Sequence, residues 1–235
     1  MSFSTLVRLC GLALIASSVL FLISILGQSS LLGQGVSFDP NNSYVLYNLT
    51  SFIDVLVAPL EVLGLIGLYA RRPQATGIFG LVAFSIAFSG GMLMAGYTWY
   101  TRFVEWVLPF DVQVALMLQM EHFPEVSGPY ALGSTFVFPL YLLGWLLMGT
   151  AFLRAGLYPR WAVMLLIAIS LAAGILDVFS SLVGVPDVGS RLPYAVEAGG
   201  VLQNAVLAWL GFVLWLGRKD PGDSSGVPAA SRALS

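Results

Sequence analysis

Six long apolar stretches, parted by short polar connections, run through this chain. A helix crossing about 30 Å of hydrocarbon needs roughly twenty such residues. The pattern therefore predicts an all-α polytopic membrane bundle with six transmembrane helices, at about 9–27, 50–70, 75–99, 131–153, 161–183 and 194–217. Arg71, Arg72 and Pro73 stop the second stretch, Arg154 the fourth, and Arg218 and Lys219 the sixth. The first follows Arg8 in the manner of a signal peptide. Its core is long for one and no A-x-A site follows, so it reads as a retained helix. A shorter apolar segment, about 111–123, is bracketed by Pro109 and Pro124, with Asp111 as a candidate N-cap. Too short to span, it is expected to lie in the outer interface as an anchor or to fold over the bundle mouth. Trp99, Tyr100 and Trp106 suit an aromatic belt at that depth. The last segment, 220–235, is rich in Ser, Gly, Ala and Pro and reads as a disordered cytoplasmic tail.

The polar positions between the stretches give a direction. If the helices alternate, Arg8, Arg71, Arg72, Arg154, Arg160, Arg218 and Lys219 share one side, while Arg102 and Arg191 take the other. Basic connections stay cytoplasmic, so both termini are expected there. The outer connections carry Asp39, Glu105, Asp111, Glu121 and Glu125.

Composition agrees with a membrane solvent. Charged residues are 9% of the chain and hydrophobic ones 58%, too lopsided to cover a surface that faces water. The 235 residues leave no room for a soluble domain beside six spans. Cys10 is the single cysteine, which excludes intrachain disulfides and thiolate metal clusters. In an apolar helix it reads as an inert packed thiol. The arginines are scattered rather than striped, so nucleic-acid binding has no support. Nothing implies a cofactor. Walker, G-x-G-x-x-G and H-E-x-x-H patterns are all missing. Ser89-Gly90-Gly91 has no intramembrane histidine to serve as its base, and His122, the one histidine, stands with Glu121 and Glu125 in an outer connection, too sparse for a metal site.

Charges inside the stretches are the best functional clue, since each costs about 2.5–3.5 kcal/mol at mid-membrane even on the lenient insertion scale. Four carboxylates qualify: Asp54, Glu61, Asp177 and Glu197. Glu61 falls near the midplane and the other three in the outer third. Asp54 and Glu61 are seven residues apart, hence on one helical face, and Glu197 and Asn204 repeat that spacing with Gln203 alongside. One reading is an outward-facing polar pocket lined by Asp54, Glu61, Asp177, Glu197 and Asn204, which binds a small solute or cation. The bland reading leaves the outer three hydrated or paired with Arg102 and Arg191. Glu61 is either protonated or hydrogen-bonded to a partner such as Asn204.

Two further patterns bear on packing. Pro59-Leu60-Glu61-Val62-Leu63-Gly64 echoes Pro139-Leu140-Tyr141-Leu142-Leu143-Gly144. This is either a parallel hairpin duplication or a chance likeness of apolar sequence. Either way, each proline frees the carbonyl four residues earlier, Val55 and Thr135, which then needs a partner within the bundle. Ala83, Ala87, Gly91 and Ala95 form a small-residue ladder, suited to close packing inside the bundle or, less simply, to dimerisation. Asn41-Asn42-Ser43 and Asn48-Leu49-Thr50 match the glycosylation pattern, a match common by chance.

The run Leu153-Arg154-Ala155-Gly156-Leu157-Tyr158-Pro159-Arg160-Trp161-Ala162 resembles a hairpin of uncharacterised small six-helix proteins of the bacterial inner membrane, with a looser version around 71–77. The resemblance implies a multi-pass location in that membrane and brings no catalytic residues. Three functions remain open: a solute-binding or transporting protein, a structural or accessory subunit packed against a partner in the bilayer, and an intramembrane lipid-acting enzyme using Glu61 or Asp177. The first two, neither an enzyme, lead.

Overall fold

In a computed structural model, the described residues are 3–32, 42–107, 136–183 and 193–216. They form six α-helices and no strand: α1 (Phe3–Leu32), α2 (Asn42–Ala70), α3 (Pro73–Val107), α4 (Phe138–Ala155), α5 (Arg160–Val183) and α6 (Pro193–Trp215). Five of them, α1, α2, α3, α4 and α6, are long and apolar enough to cross a membrane. In α5 the corresponding stretch, Arg160–Ile175, is apolar but shorter. The third helix starts two residues before the expected 75–99 and runs eight residues past it, more than two turns. The fourth begins at Phe138; residues before 136 lie outside the description, as do the 111–123 segment, His122, Arg191 and the 220–235 tail.

The turns follow from their residues. Pro73 opens α3 directly after α2, with the Arg71 amide donating to the Gly67 carbonyl at 3.3 Å. Gly77, at φ 61°, interrupts the first turn of α3 with a backbone conformation that a side chain would strain. The second tight turn ends α4 at Gly156, whose φ of 62° is left-handed. The Gly156 amide donates to Leu153 O and the Leu157 amide to Phe152 O, the Schellman arrangement that satisfies two terminal carbonyls. Pro159 then opens α5, its carbonyl accepting from the amides of Ala162 and Val163.

The helices pack in chain order, each against the next, and α6 closes back onto α1, so the bundle is a ring. Contacts between neighbours fix their directions. Cys10 of α1 lies against Gly67 of α2, Trp161 of α5 meets Trp209 of α6 at 5.7 Å, and the Arg154 guanidinium sits 5.2 Å from the Phe79 ring of α3. One end therefore collects the starts of α1, α3 and α5 and the finishes of α2, α4 and α6. Arg71, Arg72, Arg154 and Arg160 all stand there, and Arg102 stands at the other end. Arg71 lies over the Tyr158 ring, 5.8 Å from its centroid, while the Tyr158 hydroxyl donates to Leu68 O at 2.9 Å. The turn between α4 and α5 thereby caps the end of α2, whose last carbonyls have no intrahelical donor.

Small residues set the closest approaches. A Cβ at Gly11 would come within 2.6 Å of Gly211 O, and one at Gly211 within 2.7 Å of Gly11 O. Gly90 faces the α4 backbone at Leu140 and Tyr141, and Gly144 faces the backbone of Ala87. The ladder Ala83, Ala87, Gly91 and Ala95 is buried along its length, with Ala87 on Gly144 and Gly91 on Val62. Packing within the bundle accounts for it. Outward, large apolar side chains such as Leu9, Ile78, Leu93, Met164 and Ile175 are exposed, a surface that lipid rather than water suits.

Candidate functional site

Alternate helices of the ring bring their polar residues to its interior. Glu61 is the central residue of the apolar stretch Phe52–Ala70 of α2 and is 5% exposed. Its Oε2 accepts a hydrogen bond of 2.6 Å from the Tyr141 hydroxyl of α4. The Gln203 side-chain amide of α6, itself buried, donates to the same hydroxyl oxygen at 3.3 Å. The result is a chain of donors, amide to phenol to carboxylate, linking three helices that run the same way. A length of 2.6 Å falls within the roughly 2.5–2.7 Å of a hydroxyl bonded to a charged oxygen. Trp145, one turn after Tyr141, packs edge-on to its ring, with the centroids 6.4 Å apart.

Asn204 is not the partner of Glu61. It occupies one stripe of α6 with Gly200 and Gly211, four residues before it and seven after. That stripe faces α1: Gly200 abuts the Phe21 ring and Gly211 abuts Gly11. Gln203, about 100° back around the helix, is the residue that looks inward. Asn204 is nonetheless buried. Its Nδ2 donates to Gly200 O at 3.1 Å, and its Oδ1 is buried without a hydrogen-bond partner. Ser170 Oγ on α5 is likewise buried and unpartnered.

Asp54 shares the face of α2 with Glu61 but meets different chemistry. Its Oδ2 accepts from Arg102 Nη2 of α3 at 3.0 Å, with both side chains about one-fifth exposed (19% and 20%). The pairing with Arg102 is the one the bland reading anticipated. Asp177 and Glu197 belong to α5 and α6 by backbone, and their side chains lie outside the described residues.

The carbonyl freed by Pro59 has found its donor. Trp99 Nε1 of α3 donates to Val55 O at 3.2 Å, so that carbonyl is occupied rather than left open to a ligand. Thr135, its counterpart before Pro139, lies outside the described residues. Tyr141 is the site residue that sequence reasoning did not single out. The signal was present, because Tyr141 holds the same place after Pro139 that Glu61 holds after Pro59.

Among the described residues no three His, Cys, Asp or Glu side chains converge as a metal site. Around Glu61 the neighbours are donors, and the arrangement can hold a carboxylate, accept a proton on it, or offer its charge to a cation. Comparison with known protein families, with curated proteins and with solved structures finds no match to this chain.

Proposed function

We propose that the protein is a multi-pass membrane protein of the bacterial inner membrane that binds a small solute or cation at Glu61. In this reading α5 crosses with the other five helices, giving six spans, and both termini are cytoplasmic. Two observations support that orientation: the antiparallel ring, and the gathering of Arg71, Arg72, Arg154 and Arg160 at one end. The observation that carries the binding role is the Glu61 carboxylate itself. It stands mid-span, held by a phenol and, through it, an amide, with no basic side chain bonded to it among the described residues. A carboxylate so placed is costly to keep, and its charge is answered only by neutral donors.

A second reading is favoured by the same bond. The Tyr141 hydroxyl ties α4 to α2 and α6, as polar groups do when they only join helices. Thermal unfolding of the detergent-purified protein separates the two. The midpoint is followed across a panel of cations, amines and lipids, with Glu61→Gln beside the parent. A ligand present at a hundredfold over its dissociation constant stabilises by about 2.7 kcal/mol. A midpoint raised in the parent and unchanged in the variant is the expected result. A flat response to every compound, with the variant merely less stable, sinks the binding role for those ligands and makes the protein an accessory subunit.

A further inference from the structure

We infer that the ligand of this site is the proton: Glu61 loads and releases one, and Tyr141 positions the carboxyl that carries it. This rests on the reading of Glu61 as a binding residue and narrows it to one ligand class. The argument turns on what surrounds the carboxylate. A metal cation needs several oxygen acceptors directed at it. The groups against Glu61 are instead the Tyr141 O–H, which points its hydrogen at Oε2, and the Gln203 N–H, which points at the Tyr141 oxygen. Those dipoles favour negative charge at Oε2 and oppose a second cation beside it. The carbonyl that Pro59 frees, Val55 O, is occupied by the Trp99 indole. An organic ammonium ion would want several aromatic faces or a second acid turned to it; Tyr141 turns its hydroxyl to Glu61, Trp145 packs edge-on to Tyr141, and Asp54 is taken by Arg102. A proton needs one oxygen lone pair and no extra room.

The titratable neighbours leave Glu61 as the group that exchanges it. On α4 the group facing it is Tyr141. On α1, Cys10 is held against Gly67, more than one turn from the level of Glu61. On α3, Arg102 is bonded to Asp54, two turns along α2, and Tyr97 is engaged in a contact of its own. On α6 the facing side chain is the neutral Gln203. Charging and discharging this site therefore changes one helix junction, the meeting of α2, α4 and α6, with no counter-charge moving in compensation.

The test is infrared difference spectroscopy on the full chain in liposomes, stepping pH and reading the carboxylic-acid carbonyl band. It is paired with labelling by dicyclohexylcarbodiimide, an apolar reagent. The protonated acid adds across its C=N bond, and the acyl group then shifts from oxygen to nitrogen, so the Glu61 peptide gains the whole reagent mass with nothing leaving. The expected result has three parts. An acid band rises and falls reversibly with pH and is wholly lost in Glu61→Gln. Labelling of the Glu61 peptide falls with rising pH. In Tyr141→Phe the band survives but persists to higher pH, because the hydroxyl that favours the ionised form is gone. Sodium, potassium and methylammonium at constant pH leave band and label unchanged. Should one of them suppress both, the proton is the wrong ligand while the binding site stands. If no Glu61-dependent band appears at any pH and no compound alters the protein, both the proton and the binding role fall. A band altered equally by Tyr141→Phe and by a destabilising change on a helix outside the chain of Gln203, Tyr141 and Glu61, Leu166→Ala in α5, overturns the positioning role of Tyr141.

Discussion

Asp54 and Glu61 occupy one face of α2, two turns apart, and the bundle treats them in opposite ways. Asp54, about one-fifth exposed, is given a full counter-charge, the guanidinium of Arg102. Glu61, buried at the middle of the span, is given a phenol and, behind it, an amide. An ion pair at the rim keeps part of its hydration, so little desolvation opposes it and little is gained. A guanidinium drawn to the position of Glu61 would lose its water altogether, and the mutual attraction need not repay that loss. Neutral donors carry a smaller desolvation cost. The difference teaches that depth selects the partner: where water reaches, a charge answers a charge; where it does not, dipoles do.

This contrast can be broken by mutation. The largest effect is expected at Glu61→Ala, which strands the Tyr141 hydroxyl and the Gln203 amide in apolar surroundings. A loss of ~1–3 kcal/mol is expected in a denaturant titration in detergent. A loss no greater than that of Asp54→Asn would mean that depth does not set the cost. Next comes Trp99→Phe, which leaves Val55 O without its indole donor and tests a bond in which neither group carries charge. About 0.6–1.7 kcal/mol is the span for such bonds between helices. An effect larger than that of Glu61→Ala would make the indole bond to the Pro59-freed carbonyl, not the carboxylate, the more important contact of α2. Smallest is Asp54→Asn, at ~0.2–1 kcal/mol. Its effect should shrink as salt is raised, whereas the cost of Glu61→Ala should not change, because screening acts on the exposed pair alone. Equal salt dependence at the two sites would remove the distinction between rim and centre.

Much of the frame was legible in the chain. The apolar stretches, their Arg and Pro stops and the Gly turn before Pro159 all follow from local rules. Each stretch corresponds to one of α1 through α6, although both ends of α1, the start of α2 and the finish of α3 run five to eight residues further and α4 starts seven residues later. The need for a donor at Val55 O was readable from Pro59 alone, but not that Trp99 would supply it. Trp99 was read as an interfacial aromatic, and depth along α3 gives no hint of the angle at which its indole faces α2. The partner of Glu61, for which Asn204 is one candidate by sequence, escapes local reading for a related reason. Asn204 and Gln203 are adjacent in sequence and about 100° apart around α6. Which of them turns inward is decided by where Gly200 and Gly211 seat α1. That choice depends on contacts between the first and last helices, and no window of local sequence contains them. Tyr141 carries no charge, and a tyrosine in an apolar helix attracts no notice until its place in the echo of Pro59-Leu60-Glu61 is compared.

The seam between Gly11 and Gly211 has a consequence for how the molecule is made. Helices enter a membrane in the order of synthesis, and α1 must wait for α6 before its glycine face has anything to cover it. Early in that interval, before α4 is made, Glu61 of α2 has neither Tyr141 nor Gln203. The acid therefore inserts alone, in whichever protonation state lipid tolerates, and acquires its phenol when α4 arrives and the supporting amide only with α6. Ring closure and completion of the polar centre are one late event in biogenesis. A chain stalled before α6 would expose both a bare glycine face at Gly11 and a Tyr141 hydroxyl without its supporting amide.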